Sequence, residues 1–270
     1  MNGREYLHEL FNVRDKVIVV TGTGSGIGNE LARALARLGA TVVGADLMTT
    51  GYVEADLAAF EQFDLRNQDS IVRLHNNVID RFGHVDVLVN NAGIAEFANA
   101  DRMDLQTWNK TIDTNLTGTF LCSQVFGRSM LREGSGSIVN IASRCGEVGL
   151  PFTVAYNASK AGIVAMTKTL ATEWGDRGVR VNAIVPGFVR TPHNASTLSD
   201  ERALALVTQK VPLGRISEPS DLVGSVVYLS SSASLYVTGA VLVADGGALS
   251  SGGLGAELRD HWFQSHANLS

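Results

Sequence analysis

Short runs of β-branched and apolar residues alternate along this chain with longer segments whose apolar positions recur with a helical period. Several of the short runs are nearly continuous in apolar residues, as expected when helices cover both faces of a parallel sheet. The alternation predicts repeated β-α-β units, so the fold class is α/β, a doubly wound (Rossmann) parallel sheet with helices on both faces. The predicted strands are residues 17–20, 41–45, 59–63, 85–89, 137–141, 179–185 and 241–244.

One domain is predicted for residues 1–270, because no Pro/Ser-rich linker, charge block or internal repeat interrupts this series. The connection 47–58 between the second and third predicted strands is short, and a full helix scarcely fits there. The segment 249–270 forms a C-terminal tail that carries Trp262 and Phe263. We expect this tail either to pack against a neighbouring subunit or to be a partly disordered end.

Charge and composition exclude several classes of function. The 270 residues include 22 Lys and Arg against 27 Asp and Glu, a net charge of −5, which disfavours binding to nucleic acid or to an anionic membrane. No apolar run approaches the roughly 18 residues needed to cross a bilayer. Two cysteines, Cys122 and Cys145, are too few for a disulfide framework, and the six histidines show no paired ligand spacing that predicts a metal site. These features predict a soluble cytoplasmic protein.

A glycine-rich turn follows the first predicted strand. Residues 21–28, Thr-Gly-Thr-Gly-Ser-Gly-Ile-Gly, lead into a helix that we expect to open at Asn29. In this setting glycines let backbone amides approach a pyrophosphate at a helix N-terminus, although glycine also punctuates purely structural turns. The positions expected to bind a dinucleotide are Gly22, Ser25, Gly26, Ile27 and Gly28.

Asp46 ends the second predicted strand, 18 residues past Gly28. This offset is close to the one at which an acid accepts hydrogen bonds from the adenosine ribose of NAD. A carboxylate there would repel the 2′-phosphate of NADP, and the turn residues supply no cation to offset the repulsion. We therefore expect NAD, or NADH in reverse, as cofactor. The alternative is an aspartate that only caps a helix or a turn.

Tyr156 and Lys160 lie four residues apart in a segment of strong helix formers, which places the phenol and the ammonium on one helix face. A neighbouring ammonium favours the phenolate, so we expect Lys160 to lower the pKa of Tyr156 and make the phenol usable as a general acid or base. The same spacing also occurs in ordinary surface pairs. Ser143 follows a predicted strand, at the end of the sheet where ligands bind in such folds.

Two further motifs carry asparagines. Asn90-Asn91-Ala92-Gly93 follows another predicted strand, and Asn115 lies in a polar interruption of an otherwise helical stretch. Either asparagine is also compatible with a simple capping role.

Taken in order, these motifs resemble those of the short-chain dehydrogenase/reductase family, in its compact branch of roughly 250 residues. The resemblance runs from about residue 15 to 247 and includes Pro186-Gly187 followed by Thr191. It implies that the serine binds the substrate oxygen, the tyrosine exchanges a proton with it, the lysine binds the nicotinamide ribose, and the helical asparagine holds a water of a proton relay. The catalytic residues are then Asn115, Ser143, Tyr156 and Lys160.

The resemblance also implies further contacts. Asp64 and Leu65 are expected near the adenine, and Val189 and Thr191 near the nicotinamide carboxamide, with residues 190–210 as a lid over the substrate. Homotetramers are common in the family, so a homotetramer is expected. Further cofactor contacts are Asn91, Ala92, Gly93, Pro186 and Gly187, and the substrate contacts are Ser143, Arg144, Cys145, Tyr156, Phe188 and His193. For Arg144 a structural salt bridge is an alternative, and for His193 an exposed loop position.

The function expected from the resemblance is hydride transfer between NAD(H) and a secondary alcohol or ketone, a small polyol, sugar-like, hydroxy-acid or cyclic substrate, with no metal. Two alternatives stay open. One is a 3-oxoacyl reductase that uses NADPH, which Asp46 disfavours. The other is a non-catalytic module that senses NAD(H), which the four filled catalytic positions disfavour.

Overall fold

Seven parallel strands form one sheet in the computed structural model, which describes residues 2–48 and 57–251. The strands are β1 (Val17–Thr21), β2 (Thr41–Asp46), β3 (Ala59–Gln62), β4 (Val87–Asn90), β5 (Gly136–Ile141), β6 (Val179–Pro186) and β7 (Val241–Ala244). Their order across the sheet is β3-β2-β1-β4-β5-β6-β7. This arrangement confirms the predicted doubly wound α/β class, and the order reverses between β1 and β4, which is where such folds bind ligands.

Helices connect the strands and cover both faces of the sheet. The helices are α1 (Gly3–Leu10), α2 (Gly26–Arg37), α3 (Gln68–Phe82), α4 (Leu105–Ile112), α5 (Gly118–Glu133), α6 (Val154–Trp174), α7 (Ala195–Leu198), α8 (Glu201–Thr208) and α9 (Val223–Ser230). A π-helical turn, Asp113–Thr117, joins α4 to α5. The 3₁₀ turns are Arg144–Gly146, Gly175–Arg177, Pro192–Asn194, Pro219–Leu222 and Ser232–Ser234.

Apolar side chains on the two faces of the sheet form separate cores. One core packs the sheet against α3, α5 and α6 and contains the fully buried Phe126. The other packs the sheet against α2, through Leu31 and Leu35, and against α9. Because β1, β4 and most of β5 and β6 are buried on both faces, their sequences read as continuous apolar runs rather than alternating ones.

A buried polar chain ties the helix that carries Tyr156 to the sheet. The Asn90 side-chain amide donates to Asn140 Oδ1 (2.9 Å), and the Asn140 amide donates to Thr167 Oγ1 on α6 (2.9 Å). Buried amides are costly unless they are hydrogen-bonded, so this series of hydrogen bonds favours one register of α6 on β4 and β5.

Several boundaries differ from the predicted ones. Helix α2 begins at Gly26, three residues before the predicted position, because the helical conformation starts within the glycine turn itself. Strand β4 begins at Val87 rather than at 85, where the Asp86 carboxylate accepts the amide of Val17 (2.7 Å). The predictions for residues 49–56 of the short connection, and for Trp262 and Phe263 of the tail, lie outside the described residues. In the described part of the chain, every helix is too short or too polar to cross a membrane.

Candidate active site

The residues that follow β1, β4, β5 and β6 lie along one edge of the sheet, because parallel strands all end on the same side. This edge therefore gathers the glycine turn, Asn91 to Gly93, Ser143, and the segment after Pro186. These were the positions predicted to carry function from four separate parts of the sequence.

The glycine turn adopts a conformation that other residues would disturb. Gly22 and Gly26 have positive φ angles of 75° and 57°. A Cβ atom on Gly28 would overlap the carbonyl oxygen of Gly22, and one on Gly22 would lie 2.8 Å from the Cα of Ala92. Close backbone packing of this kind requires glycine and leaves room for a ligand's phosphates beside the turn.

Asn91 holds this turn in place. Its side-chain amide donates to the carbonyl oxygens of Thr21 (2.9 Å) and Gly22 (3.2 Å). In return the Thr21 hydroxyl accepts the backbone amides of Asn91 (3.0 Å) and Ala92 (3.1 Å). The Asn91 amide is thus engaged by the protein, while the neighbouring Gly93 is exposed at the edge.

The start of α2 fits a phosphate group. Ser25 occupies the N-cap, is exposed, and makes no side-chain hydrogen bond to the helix, so the first amides of α2 have no side-chain cap. Ile27 packs against the core and anchors the first turn. The positive φ angles, the close glycine packing and the uncapped helix start together fit the pyrophosphate of a dinucleotide.

Asp46 lies beside the glycine turn and is partly engaged there. The Gly24 amide donates to its Oδ2 (2.8 Å), and the Met48 amide donates to its Oδ1 (2.9 Å). The turn-stabilising alternative is therefore observed. A carboxylate oxygen accepts more than one hydrogen bond, so this contact leaves acceptor capacity for a ribose hydroxyl.

Asn115 is fully buried in the π-helical turn. Its Oδ1 accepts the amide of Ile94 (2.8 Å), and its Nδ2 donates to the Ile94 carbonyl (2.8 Å) and to Ser159 Oγ (3.1 Å). Both N–H groups and the carbonyl oxygen of the side chain are therefore engaged in joining the loop after β4 to α6. Its predicted part in a proton relay stays a prediction.

Ser143, Tyr156 and Lys160 meet at the end of β5. Ser143 is 8% exposed, accepts the amide of Cys145 on its Oγ (3.1 Å), and lies close enough to the Tyr156 phenol to lower its pKa. Lys160 Nζ lies 5.7 Å from the centre of the Tyr156 ring and donates to the carbonyl of Ile141 (2.8 Å). Tyr156 and Lys160 therefore lie on one face of α6, as predicted, and this face is turned toward Ser143.

Burial dominates the titration of this pair. It raises the pKa of Tyr156 to about 12, against a smaller lowering effect of the Ser143 hydrogen bond. Burial also lowers the pKa of Lys160 to about 8. The predicted lowering of the phenol pKa by Lys160 is therefore not found in the protein by itself: burial sets the direction of the Tyr156 shift, and the Lys160 ammonium donates to the Ile141 carbonyl.

The 3₁₀ turn Arg144–Gly146 packs closely on α6, where a Cβ atom on Gly146 would lie 2.8 Å from the amide nitrogen of Ala161. Cys145 is a free, half-buried cysteine, and its negatively charged thiolate form would raise the pKa of both Tyr156 and Lys160. Arg144 is half-buried, and among the described residues its guanidinium has no ion pair or hydrogen bond, so the salt-bridge alternative is not observed there.

Residues 190–210, predicted to form a lid, contain helices α7 and α8 and are loosely packed. Leu198 of α7 is buried, whereas α8 contributes no buried residue. The exposed ring of His193 stacks on Phe97 of the loop after β4, with centroids 6.5 Å apart, and Phe188 is half-buried. The segment 190–210 and the loop after β4 therefore meet through these two rings, and closure over a substrate stays a prediction.

The base of the lid closes on the rest of the edge. A Cβ atom on Gly187, directly after Pro186, would lie 2.8 Å from the Cα of Asp245. Val189 is buried, and Thr191 Cγ2 lies 3.2 Å from where a Cβ of Gly26 would be. Of the predicted cofactor contacts, Thr191 is thus brought to the glycine turn, while Val189 belongs to the core cluster against which Ile27 packs.

The residues predicted near the adenine are occupied by other contacts. The Asp64 carboxylate pairs with Arg66 (2.9 Å), which lowers its pKa, and Leu65 is buried against Gly118. Their predicted role stays a prediction.

The sequence reasoning missed Asn194, whose side chain binds the backbone at Val189 and Thr191. An asparagine three residues after a threonine at a helix start is a capping pattern that could have indicated it. In the described residues no group of three or more possible ligands gathers to hold a metal ion.

Comparisons with known proteins agree with this geometry. A family model described as enoyl-(acyl carrier protein) reductase matches residues 22–248. The chain is 41% identical to D-threitol dehydrogenase of Mycolicibacterium smegmatis, over 88% of this chain and 94% of that protein. It is 37% identical to 2-dehydro-3-deoxy-D-gluconate 5-dehydrogenase of Bacillus subtilis, over 91% and 99%. The crystal structure of a gluconate 5-dehydrogenase from Burkholderia cenocepacia, in complex with NADP and tartrate, superposes with a TM-score of 0.86 at 30% identity, covering 90% of this chain and 99% of that one.

The lowered pKa of Lys160 predicts a pH-dependent stability. Between about pH 8 and about pH 10.5 the unfolded chain still holds a proton that the folded chain has released, so the free energy of unfolding rises with pH. Denaturant unfolding of the wild type and of Lys160→Met across this range should show the wild type gaining stability relative to the variant. Lys168→Met, on the exposed side of α6, controls for loss of a lysine. Parallel curves for wild type and Lys160→Met would contradict the assignment.

Proposed function

Because the chain belongs to the short-chain dehydrogenase/reductase family, we propose that it is an oxidoreductase that transfers hydride between a nicotinamide dinucleotide and the carbon of a secondary alcohol or ketone. The observation that carries this proposal is the meeting of Ser143, Tyr156 and Lys160 beside a glycine turn that fits a pyrophosphate. A structural turn and a surface pair, taken separately, give no reason for the two to share one edge of the sheet.

The protein's own residues would handle the oxygen of the substrate. Ser143 donates a hydrogen bond to it, and the Tyr156 phenol gives it a proton during reduction or takes one during oxidation. With a pKa raised to about 12, the phenol is protonated at neutral pH, which is the form that reduction requires. The dinucleotide supplies or accepts the hydride, two electrons with one proton, at carbon.

Lys160 is proposed to hold the cofactor. Its ammonium spends one N–H on the Ile141 carbonyl and keeps two donors for the nicotinamide ribose hydroxyls. Gly22, Ser25, Gly26, Ile27 and Gly28 would hold the pyrophosphate. The remaining proposed cofactor contacts are Asp46, Asp64, Leu65, Asn91, Ala92, Gly93, Pro186, Gly187, Val189 and Thr191.

NAD is proposed over NADP because Asp46 brings a carboxylate to the glycine turn. Gly24 is so close to this carboxylate that its Cβ would lie 3.0 Å from the Asp46 Cγ, and the turn contains no cation. A 2′-phosphate at the adenosine ribose would meet this negative charge directly. The structural relative from Burkholderia cenocepacia binds NADP, and replacing Asp46 tests which of the two cofactors this chain prefers.

The substrate is proposed to be a small polyol, a sugar-like compound, a hydroxy acid or a cyclic alcohol. The two relatives named above act on D-threitol and on a dehydro-deoxy-gluconate. Arg144, Cys145, Phe188 and His193 are proposed to line the substrate site, and the guanidinium of Arg144, which pairs with none of the described residues, offers a cation to an acidic or hydroxyl-rich substrate.

The assembly and the location are proposed on separate observations. Exposed apolar residues on α5 and α6, Phe120 and Val154, support pairing into a homotetramer. Location in the cytoplasm is proposed on the two free cysteines, Cys122 and Cys145. One domain over 1–270, with a lid at 190–210 and a tail at 249–270, completes the proposal.

Replacing Tyr156 by Phe should abolish turnover and spare binding. Loss of the phenolic proton is expected to lower kcat by about 100- to 10,000-fold, which is the usual contribution of a positioned general acid or base. Absorbance of reduced cofactor, followed over a panel of polyols, sugar acids and cyclic alcohols with their ketones, measures the rate. Fluorescence titration with NADH should give a dissociation constant within about threefold of the wild type. A variant that turns over normally would rule out the phenol as the acid or base. A wild type that binds NADH but never turns over any compound would favour the sensing module.

Replacing Asp46 by Asn should shift the cofactor preference. The amide keeps an acceptor for the Gly24 N–H and removes the charge, so the ratio of kcat/KM for NADP to that for NAD should rise about tenfold or more. Asp101→Asn removes the same charge at an exposed position in the loop between β4 and α4 and should leave the ratio unchanged. A wild type that prefers NADPH would overturn the cofactor assignment and favour the 3-oxoacyl reductase alternative.

A further inference from the structure

Residues 188–191, directly after β6, form an extended segment that is hydrogen-bonded on one side by Ser217. The Arg190 amide donates to the Ser217 carbonyl (2.8 Å), and the Ser217 amide donates to the Phe188 carbonyl (2.9 Å). This is an isolated parallel bridge, centred on Val189. The Phe188 carbonyl and the Arg190 amide are therefore paired as in a strand, while the Val189 carbonyl and the Thr191 amide point to the opposite side.

On that opposite side a single side chain takes the place of a neighbouring strand. Asn194 Nδ2 donates to the Val189 carbonyl (2.7 Å), and Asn194 Oδ1 accepts the Thr191 amide (3.0 Å). The Asn194 backbone amide also donates to the Thr191 carbonyl (3.2 Å). A carboxamide carries the same donor and acceptor as a peptide group, which is why it can pair with two backbone groups at once.

The segment fixed in this way lies against the dinucleotide cradle. Thr191 Cγ2 lies 3.2 Å from where a Cβ of Gly26 would be, and Val189 is 5% exposed. Helices α7 and α8 provide little other restraint, since Leu198 is the single buried residue in these two helices. Ser217 and Asn194 therefore hold residues 188–191 from two sides at the point where the lid leaves the sheet.

We propose that Asn194 is a positioning residue for cofactor binding, which holds the backbone of Val189 and Thr191 at the geometry that the nicotinamide end of the dinucleotide needs. This inference rests on the proposed function. Asparagine is specifically required: alanine lacks both hydrogen bonds, and an ionised aspartate keeps the acceptor for Thr191 but sets a negative oxygen against the Val189 carbonyl.

The inference is tested by calorimetric titration of NAD⁺ into the full chain, its Asn194→Ala and Asn194→Asp variants, and Asn182→Ala. Asn182 of β6 also pairs its carboxamide with two backbone groups, the Val237 carbonyl (2.9 Å) and the Ala240 amide (3.0 Å), so it is the matched control for loss of such an asparagine. We expect the dissociation constant to rise about tenfold or more in Asn194→Ala and to stay within about twofold in Asn182→Ala.

The aspartate variant gives a signature that a purely structural role would not produce. Protonation restores its donor, so its affinity relative to the wild type should recover as the pH falls from about 6 to about 4, through the usual carboxyl pKa, whereas the alanine variant should show no recovery. Hydrogen exchange of the peptide that spans 188–194, measured without cofactor, should be faster in both variants at about pH 8.

The outcomes separate the two proposals. A wild type that does not bind NAD⁺ overturns the proposed function and this inference with it. A wild type that binds, with Asn194→Ala binding equally well, overturns the inference alone. Equal weakening in Asn194→Ala and Asn182→Ala also overturns it, because the effect would then be a general loss of stability.

Discussion

The parallel direction of all seven strands is the constraint on which this site depends. Since each strand ends at the same edge, motifs that lie up to about 170 residues apart in the sequence, from the glycine turn to the lid, meet without any long-range contact designed for each pair. Because the strand order reverses between β1 and β4, a crevice opens at that edge, beside the glycine turn that follows β1. The glycine turn, Ser143 and the segment after Pro186 all lie at that edge.

The site keeps its polar groups at a cost in stability that the surrounding backbone offsets. Lys160 is nearly buried and is held by one main-chain carbonyl, and Asn115 is fully buried and is held by both backbone groups of Ile94. Asn91 and Asn194 do the same for the glycine turn and for the lid base. Four side chains thus bind backbone groups at this edge of the sheet, and the three asparagines do so in the segments that follow β1, β4 and β6.

The features that the sequence predicts well are local ones. Continuous apolar runs mark the strands, a Gly-rich turn between strand and helix marks the cradle, and a four-residue spacing places Tyr156 and Lys160 on one face. What could not be predicted depends on distance between elements. The phenol pKa follows from burial rather than from the neighbouring charge, the Asp46 carboxylate is shared with Gly24, and the Phe97 and His193 rings meet across two loops. A pattern along the chain contains no measure of solvent exposure or of which loops face each other.

The most direct test of the account follows a labelled hydrogen from substrate to cofactor. The chain is incubated with NAD⁺ and a set of polyols, hydroxy acids and cyclic alcohols that carry deuterium on the carbinol carbon, and the cofactor is then examined by NMR. The account predicts one deuterium at the nicotinamide C4 with at least one alcohol, and none when Ser143, Tyr156 and Lys160 are all replaced by Ala. Binding of NAD⁺ without any transfer of deuterium, or transfer that survives the triple replacement, would contradict it.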